Sequence, residues 1–373
     1  MGESAYARAG VDYSKMEPFK MAMIETGRRT LSFPNKRNVY INEDALHAHG
    51  AVFEYRGTEP HIWAKTQEGL GNKNWIAEWM YKYAEDGNTR HENIGIDVML
   101  MSVNDLIAQG AMPVVCTDQV DVGSSEWFSD EKRSKDFAHG IYRVCEESGM
   151  ALAAGETATL KYLLQPSPPV LIAPTFSCSV TGIIAPKKRL VTGSKLAAGD
   201  CVIGATSSGI HSNGITLVIN YALELPDKFL TTLPNGNTLG DEALIPTRSY
   251  VALIETLLEN DVEVHALLPG TGDGVGKIAF DKRPFTYRIR DWPEVPELFR
   301  YFHEELNLPI MDCLKTFNWG VGYYVYAPQS EAERIVSLGQ KAGYDMKILG
   351  IVEEGERQVI FEPSDVILGP PGE

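Results

Sequence analysis

The chain has 373 residues, with 34 Lys and Arg against 50 Asp and Glu, a formal net charge of −16 at pH 7. Its 44% hydrophobic and 23% charged residues supply a core for each of the two or three domains that roughly 150 residues per domain predicts, which excludes wholesale disorder. The acidic excess excludes a nucleic-acid scaffold, because short basic clusters such as Lys187-Lys188-Arg189 never extend into the stripe a phosphate backbone requires.

Five cysteines, Cys116, Cys145, Cys178, Cys201 and Cys313, are widely spaced and form no Cys-x-x-Cys pair, so they read as reduced core thiols. Residues 1–12 carry no apolar stretch of signal-peptide type, and no apolar run approaches the roughly 18 residues of a membrane span. A cytoplasmic protein with no membrane partner is the expectation.

In chain order, residues 1–45 predict an amino-terminal arm or lid, with a short helical pattern over 21–30 broken by Pro34-Asn35. Alternation predicts strands over 51–55 and 61–64, closed by Gly57 and Pro60, and then a helix over 75–83. Residues 95–110 give the clearest helix, opened by Gly95 and ended by Gly110 and Pro113. A strand over 114–120, a helix over 134–148 and a short buried strand over 151–154 lead into Gly155-Glu156-Thr157. After the Pro-rich residues 166–169, a strand follows over 175–184. The polar stretch 187–200 places a domain boundary near 190, giving an arm 1–45, a first domain 46–190 and a second domain 191–373. Beyond it come a strand over 201–204, the loop SSGIHSNG at 207–214, a helix over 215–225, and a further helix beginning near Thr247 after Pro246.

At 3.6 residues per turn, Asp97 and Asn104 lie on nearly one line of the 95–110 helix, with Asp105 on the adjoining edge. Carboxylates on an apolar rod call for a Mg²⁺ ion or a lysine; the plainer reading is a first-turn cap at Asp97 and a surface ion pair at Asp105. Gln67-Glu68-Gly69-Leu70-Gly71-Asn72-Lys73 joins a strand to a helix, as either a phosphate turn or a plain tight turn, and lacks Walker A spacing. SSGIHSNG reads as an anion site with Ser207, Ser208 and Ser212 as donors, or as an elaborate helix cap. PGTGDGVGK, residues 269–277, is a second glycine-dense loop. No window fits G-x-G-x-x-G or G-x-S-x-G, so neither a nicotinamide dehydrogenase nor a serine hydrolase has support. Glu156 follows a buried strand, as a ligand, a base or a helix-terminus acid. His265 reads as a half-buried strand histidine and Arg248 as a helix-start cation.

Eight segments, in order, resemble the phosphoribosylformylglycinamidine cyclo-ligase family, the aminoimidazole ribonucleotide synthetases. They are Tyr6-x-x-Ala9-Gly10-Val11-Asp12, Gly69-x-Gly71-x-Lys73, GIDVMLMSVNDLIAQGAMP, Asp118, Gly155-Glu156-Thr157-Ala158, SSGIHSNG, Pro246-Thr247-Arg248-x-Tyr250 and Thr316-Phe317-Asn318-x-Gly320-Val321-Gly322. The resemblance implies an α+β fold of two domains. The amino-terminal mixed sheet would form a barrel-like homodimer interface and bind ATP, and a carboxy-terminal α/β sandwich would bind a small phosphorylated substrate. The implied reaction is ATP-driven ring closure, in which a phosphorylated formyl amide oxygen leaves as phosphate when an amidine nitrogen attacks.

Carried onto this chain, Glu68, Gly69, Gly71, Lys73, Asp97, Asn104, Asp105 and Asp118 would bind ATP, with Glu68, Asp97 and Asp105 on Mg²⁺. Ser207, Ser208, Gly209, His211, Ser212, Asn213 and Arg248 would hold substrate, and Lys73, Glu156 and His211 would be catalytic. On this reading Lys73→Ala leaves folding intact and lowers turnover about a hundredfold or more. The chain also departs from the family. Glu68 stands for a shorter Asp, the glycine-rich loop near residue 50 is reduced to Gly50-Ala51-Val52-Phe53, Thr159-Leu160-Lys161 replaces Glu-Met-Pro-Gly, and Pro269 stands where His-x-Thr-Gly-Gly-Gly begins. These departures keep in play a paralogue acting on another substrate, or a non-catalytic nucleotide-binding scaffold. Selenophosphate synthetase is disfavoured because no cysteine precedes Cys116, and thiamine-monophosphate kinase fits SSGIHSNG and Thr316-Phe317-Asn318 less well.

Overall fold

A computed structural model describes residues 5–46 and 50–372. The chain is a mixed α+β protein with several sheets, divided into two compact units, Met1–Leu106 with Met112–Ile183, and Ile107–Ala111 with Ile184–Glu373. The division falls at residues 183 and 184, before the polar stretch that placed it near 190.

A short antiparallel pair, β1 (Val39–Ile41) and β2 (Phe53–Tyr55), precedes the main sheet of the first unit. That sheet holds β3 (Ile62–Gly69), β4 (Met112–Val122), β5 (Ala151–Thr159) and β6 (Thr175–Ile184) in the order β3-β6-β4-β5. Strand β4 is parallel to β5 and antiparallel to β6, and Asp118 lies opposite Gly155 on one side and Cys178 on the other. Cys116, Asp118 and Val120 alternate toward the buried face, while Thr117 and Gln119 take the open one.

Helices α1 (Ala5–Arg8), α2 (Tyr13–Thr30), α3 (Lys73–Tyr83), α4 (His91–Leu106) and α5 (Glu131–Ser148) complete this unit. Helix α2 is longer than the 21–30 pattern, because the Asp12 side chain accepts from the Ser14 N–H and starts the helix early. Nor is it a detached arm. Phe19 is fully buried against the rings of Trp127, Phe128 and Phe137 at 5.7, 5.2 and 5.8 Å, a burial worth about 2–3 kcal/mol.

Gly95 does not open α4, which begins at His91, whose N–H the Thr89 hydroxyl accepts. Gly95 instead lets α4 and α5 touch backbone to backbone. A Cβ there would sit 2.4 Å from the Phe137 carbonyl oxygen, and one at Gly140 would sit 2.1 Å from that of Glu92. The 151–154 strand runs on to Thr159, so Glu156 is a strand residue and not a helix-terminus acid.

The second unit is built on a seven-stranded mixed sheet, β7 (Asp200–Thr206), β8 (Ala266–Pro269), β9 (Phe285–Ile289), β10 (Val321–Pro328), β11 (Met346–Glu354), β12 (Gln358–Phe361) and β13 (Val366–Leu368), in the order β13-β12-β9-β11-β7-β10-β8. Only β12 and β9 run parallel among its pairs of described residues. Its helices are α6 (Ile215–Glu224), α7 (Leu239–Ala243), α8 (Val251–Glu259), α9 (Glu297–Glu304), α10 (Ile310–Thr316) and α11 (Gln329–Lys341). Helix α8 starts at Val251, four residues beyond the expected Thr247, because Ser249 and Tyr250 are buried in the turn before it. All five cysteines are buried free thiols. No helix of the described residues is long and apolar enough to cross a membrane.

The α4–α5 crossing yields a test against propensity. Alanine at Gly95 or Gly140 gains about 1 kcal/mol of helix propensity, but the backbone clash should reverse the sign and leave each variant about 1–3 kcal/mol less stable by urea denaturation. A stabilised variant would contradict the close packing.

Candidate active site

The residues singled out in the first unit fall into two places. In the first, the Lys73 ammonium lies 2.9 Å from Asp97 Oδ2, with both side chains fully buried. Lys73 opens α3 immediately after the exposed Gly71 and Asn72, and Asp97 sits in the body of α4. Of the two sequence readings of Asp97, the lysine partner is the one the structure holds, and the first-turn cap is not. Burial holds the Lys73 ammonium below its ordinary pKa, and the Asp97 charge opposes that shift. Asn104 is buried on the same helix and Asp105 half-buried. Strand alternation puts Glu68 on the face of β3 that carries Thr66, whose hydroxyl donates to the Ser102 carbonyl of α4. No group of three His, Cys, Asp or Glu side chains converges as a metal site among the described residues, so Glu68, Asp97 and Asp105 do not stand as a ready cluster.

The second place lies at the β4–β5 pair. Asp118 is 6% exposed, and its Oδ1 would lie 2.4 Å from a Cβ at position 155, so only glycine at Gly155 leaves room for this carboxylate. Glu156 is exposed beside it, with Oε1 accepting from the Thr157 N–H at 3.0 Å. Burial, with the Glu156 charge adding to it, pushes the Asp118 carboxyl up to about 7. Two cavities open here. One of about 720 Å³ runs between α2 and β5, lined by Lys20, Arg28, Asp118 and Glu156 among others. The other, of about 270 Å³, adds Gln67, Ser177 and Ser179 from the open sheet face. Sequence reasoning missed Lys20, Arg28, Ser177 and Ser179. The period-two hydroxyls Thr175, Ser177, Ser179 and Thr181 were the available signal for the last two.

In the second unit, SSGIHSNG is pinned largely by Asn318. Its Oδ1 accepts from Ser207 Oγ at 3.1 Å and the Gly320 N–H at 2.9 Å, and its Nδ2 donates to the Gly209 carbonyl at 2.8 Å. Ser208 Oγ donates to the Pro246 carbonyl at 2.6 Å. Ser207, Ser208 and Gly209 therefore shape the loop. His211 is buried with φ 55°, and a Cβ at Gly322 would lie 2.6 Å from its Cε1 and 1.9 Å from Tyr250 Oη. The Ser212 hydroxyl is buried with no hydrogen-bond partner, and Asn213 is half-buried. Arg248 turns elsewhere, donating to the Gly343 carbonyl at 2.6 Å and stacking on Tyr344. His265 bonds Asp200 at 2.8 Å at the far end of β7.

A family model for the AIR synthase related protein, N-terminal domain, matches residues 58–184, which takes in the four-stranded sheet. A phosphoribosylformylglycinamidine cyclo-ligase of Pyrococcus horikoshii is 33% identical over 94% of this chain and 96% of its own length. The chain belongs to the phosphoribosylformylglycinamidine cyclo-ligase family. This is the family its sequence segments resemble, and the Carboxydothermus hydrogenoformans cyclo-ligase agrees at 30% identity over 97% of this chain and 99% of that protein. Among solved structures, hydrogenase maturation protein HypE aligns with TM-score 0.61 at 16% identity, covering 92% of this chain and 97% of that one. Thiamine-monophosphate kinase from Stenotrophomonas maltophilia aligns with TM-score 0.60 at 16%, covering 90% and 94%. These likenesses show that the cyclo-ligase family chain shares its fold with both.

Two predictions follow from the buried charges. Because the Asp118 carboxyl titrates near 7 in the folded chain against an ordinary 3.8, the folded state keeps a proton the unfolded state has lost, and stability falls as pH rises between those values. Asp118→Asn should therefore raise Tm at pH 8, by up to about 4 kcal/mol of stability, and leave it nearly unchanged at pH 4. An equal shift at both pH values would contradict this. The Lys73–Asp97 pair corrects the expectation for Lys73→Ala: leaving Asp97 buried alone should cost about 3–5 kcal/mol in urea denaturation, with most of it regained in Lys73→Met/Asp97→Leu.

Proposed function

We propose that the chain is an ATP-dependent cyclo-ligase of purine biosynthesis, closing formylglycinamidine ribonucleotide to aminoimidazole ribonucleotide with release of ADP and phosphate. The observation that carries this reading is the near-complete alignment with curated cyclo-ligases across both units. ATP as co-substrate is supported by the family, and one fold neighbour is HypE in complex with ATP. A paralogue with another substrate is less well supported, since HypE and thiamine-monophosphate kinase resemble the chain at only 16% identity.

The turn Gly69–Asn72 leads into the start of α3, where a helix ordinarily receives phosphate, with its Leu70 N–H already donated to the Phe176 carbonyl. Asp97 fixes Lys73 there and so positions the turn. Asp118 offers hard oxygen donors that suit Mg²⁺, a cation held by one or two carboxylates together with substrate phosphates, while Glu156, opposite Gln119, points to the other face of the sheet. When bound, the ion would offset charge on the triphosphate. Asp97 joins Glu68 and Asp105 as a ligand only on leaving Lys73, so Asp118 is favoured. His211, Ser212 and Asn213 are proposed to bind the ribonucleotide, and exposed Glu156 is proposed as a catalytic base. The open polar face of the four-stranded sheet, with Trp63 exposed on its edge strand, supports a barrel-like homodimer, and a cytoplasmic location is proposed with it.

Incubation with ATP, Mg²⁺ and formylglycinamidine ribonucleotide should release ADP in step with the diazo colour of the aminoimidazole. ADP without colour would overturn the substrate, and no ATP-dependent thermal shift would overturn the enzyme. Glu156→Gln should lower turnover about tenfold or more with an unchanged Tm.

A further inference from the structure

The loop PGTGDGVGK has no role in the reaction as described so far, and it holds a cation beside the SSGIHSNG loop. Its path is fixed by β8 and β10: Pro269 lies opposite Tyr323, and the Gly270 N–H donates to the Gly322 carbonyl at 2.9 Å. Gly322 is the residue against which His211 and Tyr250 pack. Two residues on, a Cβ at Gly272 would lie 3.7 Å from Asn213 Oδ1, so the two loops run side by side. Between these points the Thr271 hydroxyl accepts a hydrogen bond from the ammonium of Lys277, which is half-buried on the 3₁₀ turn Gly274–Ala279. On the facing loop, the Ser212 hydroxyl is nine-tenths buried and makes no hydrogen bond.

A buried hydroxyl without a partner costs about 1–3 kcal/mol, and a chain of net charge −16 repels anions at long range. Both facts give a local cation value here. We infer that Lys277, held by Thr271, is the cation of a phosphate-monoester subsite completed by Ser212 and Asn213. This rests on the substrate reading above and names the group recognised: the dianionic phosphate of the ribonucleotide. The ammonium supplies the charge as a point donor. Ser212 donates its idle O–H, and Asn213 offers its amide. The loop's own carboxylate, Asp273, is solvent-exposed at its tip. In this chain Pro269 stands where the resemblance expects a histidine, and Lys277 supplies positive charge from the same loop.

The test is isothermal titration of the full-length protein with ribose 5-phosphate, with ribose and sulfate at matched ionic strength as controls. Wild type should bind ribose 5-phosphate and neither control comparably. Lys277→Gln and Ser212→Ala should each weaken binding about tenfold or more, and Lys277→Arg should restore it to within a few-fold. Thr271→Val, which keeps the charge, separates binding from structure. If Lys277 merely pins its loop, Lys277→Gln and Thr271→Val will lower Tm alike and leave affinity unchanged, which overturns the inference. Absence of wild-type binding, or equal binding of sulfate, overturns it as well. In turnover, Lys277→Gln should raise KM for the ribonucleotide more than it lowers kcat. A protein that binds ribose 5-phosphate through Lys277 but makes no aminoimidazole would sink the cyclo-ligase reading alone. Aminoimidazole formed at an unchanged KM by Lys277→Gln would sink this inference alone.

Discussion

Taking a carboxylate out of water without giving it a cation is the costliest arrangement in this chain, and the first unit does it at Asp118. Two other buried acids of that unit are neutralised. Asp97 meets Lys73 at 2.9 Å. Glu78 receives His91 at 3.0 Å, Trp127 Nε1 at 2.5 Å and Arg133 at 3.2 Å, contacts that together hold its carboxyl below the usual range against the cost of burial. Asp118 has no ion pair among the described residues, the charge of Glu156 adds to its burial, and it keeps its proton up to about 7. The fold neutralises two of these acids and leaves the third beside an open cavity, the kind of perturbed acid that makes a candidate functional group.

The surrounding packing is what makes that placement possible. Parallel pairing of β4 and β5 sets Asp118 against Gly155, and the missing side chain at Gly155 is the space the carboxylate fills. Helix α2, anchored by Phe19 among three aromatic rings, forms the opposite wall and brings Lys20 and Arg28 to the cavity. The second unit works by a different principle. There Asn318 satisfies loop backbone and hydroxyl groups and leaves Ser212 as the idle donor.

Much of this was legible in the sequence, because it depends on local signals. Periodicity placed the strands around Val114 and Thr175 and the helix bearing Asp97, and the paired glycines before Lys73 marked the turn. Boundaries were lost where tertiary contacts set them. Gly95 looked like a helix start because an interior glycine costs propensity, and only the approach of α5 explains it. The strand at Ala151 looked short because its later residues are half-exposed or exposed on both faces and lose the apolar run. Arg248 and the seryl hydroxyls of 207 and 208 carry the residue types of an anion site, yet carbonyl and amide oxygens of the fold itself occupy them. Residue type is read from sequence; whether a donor is already spent is not.

The account's central claim is that Asp118 is an unneutralised acid awaiting a cation-bearing ligand. Following its carboxyl carbon by ¹³C NMR across pH measures this directly. A midpoint near 7 in the free protein, falling by units when Mg²⁺ and ATP are added together, is the predicted result. A midpoint near the ordinary 3.8 in the free protein, or one that the nucleotide complex leaves in place, would contradict it.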